Sequence, residues 1–227
     1  MPLKAALVLG SVALAGPTLW AEPLEAVLKR MDQAAAGFRD LAAEFQRTTY
    51  TAVLNDASRE SGRLWIQRSG ARQTSMRLEF EGPNPRSLAF DGTRGQIYYP
   101  KIQTVQIYEL GKYRSLVDRF LLLGFGTAGQ EVARSYAIRV AGGEAVAGRQ
   151  ATRLELTPKA AEVLQYIERV ELWIPEDGGY PVQQKFLQPG GDYALVMYSG
   201  IRWNPNLPEA QLKLALPPGV KREYPQK

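Results

Sequence analysis

The 227-residue chain has a net charge of +5, from 28 Lys and Arg against 23 Asp and Glu, and 45% of its residues are hydrophobic. It contains neither histidine nor cysteine, which excludes Ser-His and Cys-His nucleophiles, disulfides and the usual zinc sites. The basic residues are spread along the chain, so the charge indicates an ordinary solvated surface; the alternative is an affinity for anionic surfaces, and we expect no nucleic-acid partner.

Residues 1–21 are predicted to form a secretory signal peptide. Lys4 precedes an apolar run over residues 5–15, and the small residue Ala21 ends the segment; a cut near Ala15 or Gly16 is the alternative. The run is too short to cross a bilayer comfortably. We therefore expect export to the periplasm and one mature domain over residues 22–227.

Beyond the signal peptide, the apolar spacing is first helical and then alternates. Residues 24–35 have the spacing of an amphipathic helix, which Gly37 ends. Alternation then predicts short strands from Leu41 to Tyr108, with a turn over residues 55–61.

The pattern changes again in the middle of the chain. Residues 115–123 are predicted to be helical, followed by a flexible Gly-Phe-Gly element at 124–126, and strands resume from Tyr136 to Trp203. A helical turn is expected over residues 207–212, and residues 214–220 are expected to close the fold.

These elements predict a single, mainly β domain. We expect about ten or eleven antiparallel strands and two or three helices, and a sheet that large curls. The predicted fold is a strongly curled, unclosed antiparallel sheet, which resembles an open barrel, with the helices covering its apolar face.

Arg68 is the most unusual residue in the alternating pattern. Leu64 and Ile66 define an apolar face, and Arg68 falls on that same face. An unpaired buried guanidinium is costly, so the side chain needs hydrogen-bond acceptors or an exit to water at the strand end.

The apolar face is a candidate binding surface for hydrophobic ligands, which favour concave and mostly apolar sites. The same residues could instead form an ordinary core filled by the helices. The candidate cavity residues are Phe45, Leu64, Ile66, Met76, Leu78, Phe80, Leu88, Phe90, Ile97, Tyr99, Leu154 and Leu172.

Two other classes of protein fit the sequence less well. A carboxylate pair is conceivable in a glycosidase, but Glu79, Glu155 and Glu171 alternate with apolar neighbours and are predicted to face solvent. No nucleophile elbow, phosphate loop or metal-binding spacing is present, so we expect no enzyme and no cofactor. An outer-membrane barrel is disfavoured by the amphipathic helices.

Several motifs resemble the periplasmic outer-membrane lipoprotein carrier family, LolA. The pattern G-x-L-W-x-x-R occurs at residues 62–68 and is followed by an alternating strand at 76–80, Pro83, Asp91-Gly92 and an aromatic-x-Pro motif ending at Pro100. The resemblance continues in a Leu-Thr-Pro-Lys motif at 156–159 and a Leu-Pro-Pro-Gly-Val motif at 216–220.

This resemblance implies an unclosed barrel whose helices form a lid over an apolar cavity. It also implies that Arg68 holds the lid closed through backbone carbonyls. The lid helix itself is assigned from the amphipathic spacing of residues 115–123, whose apolar face includes Leu116, Val117, Phe120 and Leu121. The implied cargo is the acyl chains of outer-membrane lipoproteins. The implied partners are an inner-membrane ABC releasing complex of the LolCDE type and, if present, an outer-membrane acceptor of the LolB type.

The resemblance thus implies a periplasmic chaperone that carries lipoproteins from the inner to the outer membrane, and we expect it to be a monomer. The alternative is a protein of the same fold that transports lipids or glycolipids, or that senses lipoproteins.

Overall fold

The computed structural model describes residues 21–69, 73–111 and 123–226. Within these ranges the chain forms one sheet of 12 strands. The strands are β1 (Asp40–Thr51), β2 (Asp56–Ser69), β3 (Gln73–Phe80), β4 (Arg86–Phe90), β5 (Arg94–Tyr99), β6 (Thr104–Glu109), β7 (Tyr136–Val146), β8 (Arg149–Pro158), β9 (Arg169–Pro175), β10 (Gln183–Leu187), β11 (Tyr193–Trp203) and β12 (Lys221–Glu223).

The sheet is mixed only at one edge. Its order is β12-β6-β5-β4-β3-β2-β1-β11-β10-β9-β8-β7. The neighbouring strands pair in antiparallel fashion, except that β12 runs parallel to β6. Because β12 and β7 are edges and do not pair with each other, the sheet stays unclosed, as predicted.

Three α-helices are present in the described ranges: α1 (Leu24–Gly37), α2 (Gly129–Ser135) and α3 (Ala161–Leu164). Pro23 precedes α1, where its fixed φ suits a helix start. The buried stripe of α1 covers strands β7–β9 and forms the helix-side cluster, comprising Val27, Leu28, Met31, Leu123, Val132, Tyr136, Leu154, Leu156, Val170, Leu172 and Ile174.

The other half of the sheet carries a second core. This aromatic cluster comprises Phe38, Leu41, Ala43, Phe45, Leu64, Ile66, Met76, Phe80, Phe90 and Phe125. The strand register places Leu172, Gln184, Val196 and Arg47 in one row across β9, β10, β11 and β1. Since Val196 packs on the aromatic cluster and Leu172 belongs to the helix-side cluster, both clusters lie on the same face, here called the inner face.

The C-terminal segment lies across the opposite, outer face. Leu212, in a short 3-10 helix (Glu209–Leu212), packs with Trp65 and Ala42. Gln67 donates a hydrogen bond to the Leu207 carbonyl at 3.0 Å, which fixes the start of the segment on β2. The chain thus passes from β11 over the outer face to β12, at the far edge of the sheet.

Several sequence predictions differ from the structure. Residues 55–61 are not a turn: β2 begins at Asp56 and extends the β1–β2 hairpin. Helix α2 was not predicted, because its seven residues bury only Gly129 and Val132 and so carry no apolar stripe. Residues 214–220 contain no strand, and the closing strand is β12.

Two predictions concern segments at the limits of the described ranges. The predicted signal peptide and the predicted helix at 115–123 lie outside the described residues, apart from Ala21 and from Leu123, which is in a turn. No helix among the described residues is long and apolar enough to span a membrane.

Candidate functional site on the inner face

The strand register aligns apolar side chains in rows along the inner face. One row runs through Ala43, Leu64, Leu78, Leu88 and Ile97 across five strands. Cross-strand neighbours of this kind are the packing unit of a sheet. Eight of the predicted cavity residues belong to the aromatic cluster or pack on it: Phe45, Leu64, Ile66, Met76, Leu78, Phe80, Leu88 and Phe90.

Gly62 makes room for the two phenylalanines at one end of this surface. It is paired with both Phe45 and Phe80, whose rings meet edge to face with centroids 5.1 Å apart. A Cβ atom at Gly62 would lie 1.9 Å from the Glu79 carbonyl oxygen and 2.8 Å from the Phe45 ring. The glycine of the G-x-L-W motif is therefore required for close packing.

The other four predicted cavity residues lie elsewhere on the inner face. Ile97 is directly opposite Leu88, and Tyr99 follows two residues later on the same face; both are half-buried. Leu154 and Leu172 are fully buried in the helix-side cluster, beneath α1. The predicted set thus spans two adjacent regions of the inner face.

Arg68 points into the fold and contacts two other elements. Its Nη1 donates a hydrogen bond to the Ala35 carbonyl near the end of α1 at 3.3 Å, and its Nη2 donates to the Gly126 carbonyl. The guanidinium carbon is 5.3 Å from the centroid of the Phe38 ring. The guanidinium therefore has acceptors within the protein instead of leaving for solvent at the strand end.

The turn at residues 123–126, predicted to be flexible, is anchored at several points. Phe125 is 1% exposed and packs edge to face on Tyr198, with ring centroids 4.9 Å apart. A Cβ at Gly124 would lie 2.8 Å from Pro181, and one at Gly126 would lie 2.2 Å from the Phe38 ring. The two glycines allow the turn to dock closely against both neighbours.

A pair of polar side chains, the buried Gln184 and the half-buried Tyr198, adds to this anchoring. Gln184 donates a hydrogen bond to the Leu123 carbonyl, and the Tyr198 hydroxyl donates to Gln184 Oε1 at 2.8 Å. Burial raises the pKa of the Tyr198 hydroxyl above its usual value, so the group stays protonated and remains a donor. Neither residue was predicted, because both lie far from the turn in sequence.

Charged residues border the inner face at the end opposite Arg68. Arg86 donates two hydrogen bonds to the Glu60 carboxylate, at 2.6 and 2.9 Å, and lies 3.8 Å from the centroid of the Phe80 ring. Arg47 Nη1 is 3.9 Å from Glu60 Oε2. The hydrogen bonds from Arg86 lower the pKa of Glu60 from its ordinary value of 4.5.

The carboxylates do not form a metal site in the described residues, where no group of three or more potential ligands occurs. One prediction about them was wrong: Glu171 is 5% exposed rather than facing solvent. Alternation identified its face, but on that face Glu171 lies between Glu155 and Lys185 in the strand register, and Arg169 Nε donates to Glu171 Oε1 at 3.2 Å. This ion pair compensates the buried charge.

Comparison with known proteins identifies the family. The family model described as "Outer membrane lipoprotein carrier protein LolA" matches residues 36–214, which is most of the chain. The chain belongs to the LolA family. The matched range extends from the end of α1 to just beyond the 3-10 helix on the outer face, so it includes Arg68, the aromatic cluster and the turn at 123–126.

One curated relative agrees with this assignment, and two solved structures share the fold. The chain is 26% identical over 183 residues to the outer-membrane lipoprotein carrier protein of Dechloromonas aromatica (strain RCB), covering 80% of each chain. A conserved protein of Thermus thermophilus shares the fold, with a TM-score of 0.56 and 16% identity, over 88% of this chain and 98% of that one.

MucB also shares the fold, with a TM-score of 0.53 and 20% identity. That match covers 84% of this chain but only 62% of MucB. The family model and the curated relative are both described as outer-membrane lipoprotein carrier proteins. Membership therefore supports a general role in binding lipoproteins.

Proposed function

We propose that this chain is a periplasmic chaperone that carries lipoproteins from the inner membrane to the outer membrane, and that their acyl chains are held against the inner face of the sheet. The observation that carries the proposal is the gathering of eight predicted cavity residues around one aromatic cluster, in a chain of the LolA family. We infer further that it takes cargo from an inner-membrane ABC releasing complex and delivers it to an outer-membrane acceptor.

In this proposal Arg68 acts as a latch. Its hydrogen bonds join three elements, since β2 carries the guanidinium and the acceptors are Ala35 in α1 and Gly126 in the anchored turn. The predicted lid residues Leu116, Val117, Phe120 and Leu121 lie outside the described residues and directly precede that turn. Movement of the turn away from Arg68 would uncover Phe125 and the surface beneath it.

Simple energetics favour a latch that cargo can open. A hydrogen bond to a charged group contributes about 1.5–3 kcal/mol, and Arg68 makes two. Burial of about ten methylenes contributes roughly 8 kcal/mol. Burial of the acyl chains can therefore outweigh the two hydrogen bonds of Arg68. When the cargo leaves, these hydrogen bonds form again, which makes the release of the cargo less unfavourable.

The test is Arg68→Leu, expressed in a cell whose lipoproteins can be followed. We expect the variant to fold and to accumulate bound lipoprotein, because the closed state loses its stabilising hydrogen bonds and no longer competes with the open, cargo-bound state. Arg59→Leu is the control, since Arg59 is exposed on the same strand. Normal transfer by the Arg68 variant would refute the latch.

The identity of the cargo needs a separate measurement. Mass spectrometry of molecules that co-purify with the wild-type protein from the periplasm should find acylated lipoproteins. Recovery of only free phospholipid or glycolipid would reject the lipoprotein assignment in favour of a lipid transporter.

A further inference from the structure

Two turns at one end of the sheet expose aliphatic side chains. The first is a 3-10 turn (Ala52–Leu54) between β1 and β2, where Val53 is 89% exposed and Leu54 is 70% exposed. The second is a 3-10 turn (Pro100–Ile102) between β5 and β6, where Ile102 is 67% exposed. Single exposed apolar residues are common on protein surfaces. These two turns differ from that case because they share one construction and lie at the same end of the sheet.

The two turns have the same construction. Each ends in a residue with left-handed backbone geometry, Asn55 with φ 48° and Gln103 with φ 46°. In each, that residue's N–H donates to the carbonyl three positions earlier, at 3.1 Å for Asn55 and 3.3 Å for Gln103. Leu54 directly precedes Asn55, and Ile102 directly precedes Gln103. Each turn therefore presents an aliphatic side chain at its tip.

The topology places both tips at the same end of the sheet. Strands β1, β3 and β5 run in one direction, because each successive pair from β1 to β5 is antiparallel. The two tips are not level: Tyr98 aligns through Ser87, Glu79 and Arg63 with Glu44, so the first turn lies six residues, about 20 Å, further along the strand direction than the second.

The first tip is held rigidly. The Ala52 N–H donates to Asp192 Oδ1 at 2.8 Å, and the Tyr50 hydroxyl donates to Asn55 Oδ1 at 2.9 Å. Directly behind the tip, Tyr50 stacks on Tyr193 with ring centroids 5.1 Å apart. Two exposed aliphatic side chains in front of tyrosines match the order of groups at a membrane interface, where Tyr lies at the headgroup level.

The second tip carries positive charge. Lys101 is in the turn itself, where its exposed Nζ donates to the Pro83 carbonyl, and the Lys221 N–H donates to the Gln103 carbonyl at 2.9 Å, which brings Lys221 and Arg222 alongside. These three cations face one carboxylate, Glu223, which pairs with Lys221. At the first tip Asp56 and Asp192 stand close by, so that tip contributes apolar contact rather than positive charge.

From these observations we propose that this end of the sheet docks on the surface of a lipid bilayer containing anionic lipids. Val53, Leu54 and Ile102 enter the acyl region, and Lys101, Lys221 and Arg222 lie against lipid phosphates. A bilayer accepts two separate convex tips at once, whereas a protein partner would need two matching pockets. This docking goes beyond the carrier role and is independent of which cargo is carried.

The test is co-sedimentation of the cargo-free protein with phosphatidylcholine vesicles, with or without phosphatidylglycerol. We expect binding that phosphatidylglycerol strengthens. The double variant Val53→Ser, Leu54→Ser should weaken binding about tenfold or more, and Lys101→Gln should weaken it about fivefold on the anionic vesicles only.

Met197→Ser is the matched control. Met197 is 38% exposed and pairs with Gln46, on the face opposite Phe45, so its loss should leave vesicle binding unchanged. All variants share one N-terminus, checked by intact mass, so an apolar leader cannot explain a difference in vesicle binding between them.

Failure of the wild-type protein to bind the vesicles, or equal binding by the tip variant, would overturn the proposal. The proposal would also be overturned if the tip residues were required for cross-linking of this chain to a membrane protein but not for binding to vesicles.

Discussion

Single residues on the inner face decide how closely its parts can approach. Gly62, Gly124 and Gly126 each lie where a Cβ would collide with a neighbouring ring or carbonyl. Arg68 connects three elements because its planar guanidinium can donate to two carbonyls at once. The inner face therefore depends on a few residues that have no close substitute.

Gly62→Ala tests this at one position. Because the new methyl group would meet the Glu79 carbonyl and the Phe45 ring, the strands must separate or the ring must move. We expect the free energy of unfolding to fall by about 3 kcal/mol, measured by urea denaturation. Gly37→Ala is the control: a Cβ there meets nothing within 4 Å, so stability should change by less than about 1 kcal/mol.

Arg68 also shows what alternation can and cannot predict. Periodicity placed its side chain on the apolar face, and the register confirms that face, with Arg68 opposite Thr74. Its partners Ala35 and Gly126 are 33 and 58 residues away in the chain. Local spacing carries no information about such contacts, so the family resemblance was needed to suggest backbone acceptors.

At the scale of elements, the turn at 123–126 makes contacts that the sequence did not predict. Two glycines around Phe125 are typical of a flexible connection. In the structure the same glycines permit close contact with Pro181 and Phe38, and Phe125 is buried. A glycine pattern indicates conformational freedom in the unfolded chain, and tertiary packing decides whether that freedom survives.

Tyr198→Phe tests how firmly the turn is anchored. The change removes the donor to Gln184 and leaves the buried Oε1 without its 2.8 Å partner. We expect the free energy of unfolding to fall by about 1–3 kcal/mol, with faster hydrogen exchange of the Phe125 amide. The matched control is Tyr50→Phe, whose hydroxyl bond to Asn55 is exposed. An equal effect of the two substitutions would contradict the anchoring role.

The strands β1–β6, apart from residues 56–61 of β2, could be predicted well because each has one apolar and one polar face, which fixes the orientation of its side chains. Elements without that contrast were missed. Helix α2 is held by the packing of Gly129 on the Leu28 backbone, and β12 by pairing with the distant β6. Both depend on contacts that a local pattern does not record.

At the scale of the whole molecule, one continuous sheet joins the helix-side cluster to the aromatic cluster. The connection runs through β1, β11 and β10, where Arg47, Val196 and Gln184 share a row. No break in strand pairing separates the halves in the described residues. The two clusters should therefore unfold together.

Leu156→Ala in the helix-side cluster and Ile66→Ala in the aromatic cluster test this coupling. Both side chains are fully buried, so each change should lower the free energy of unfolding by about 2–5 kcal/mol. Circular dichroism and tryptophan fluorescence should report the same single transition in urea for each variant. Leu54→Ala, at an exposed position, should leave the midpoint nearly unchanged. Separate transitions by the two probes would show that the halves fold independently.

The parallel pairing of β12 with β6 has a consequence for solubility. An unclosed sheet has two edges whose free N–H and C=O groups can recruit a strand from another molecule and start aggregation. Here the edge beside β6 is occupied by three charged residues, Lys221, Arg222 and Glu223, and the other edge, β7, is interrupted by a bulge between Val140 and Gly142. Short charged strands and bulges are poor templates for further pairing, so the fold can remain open without polymerising.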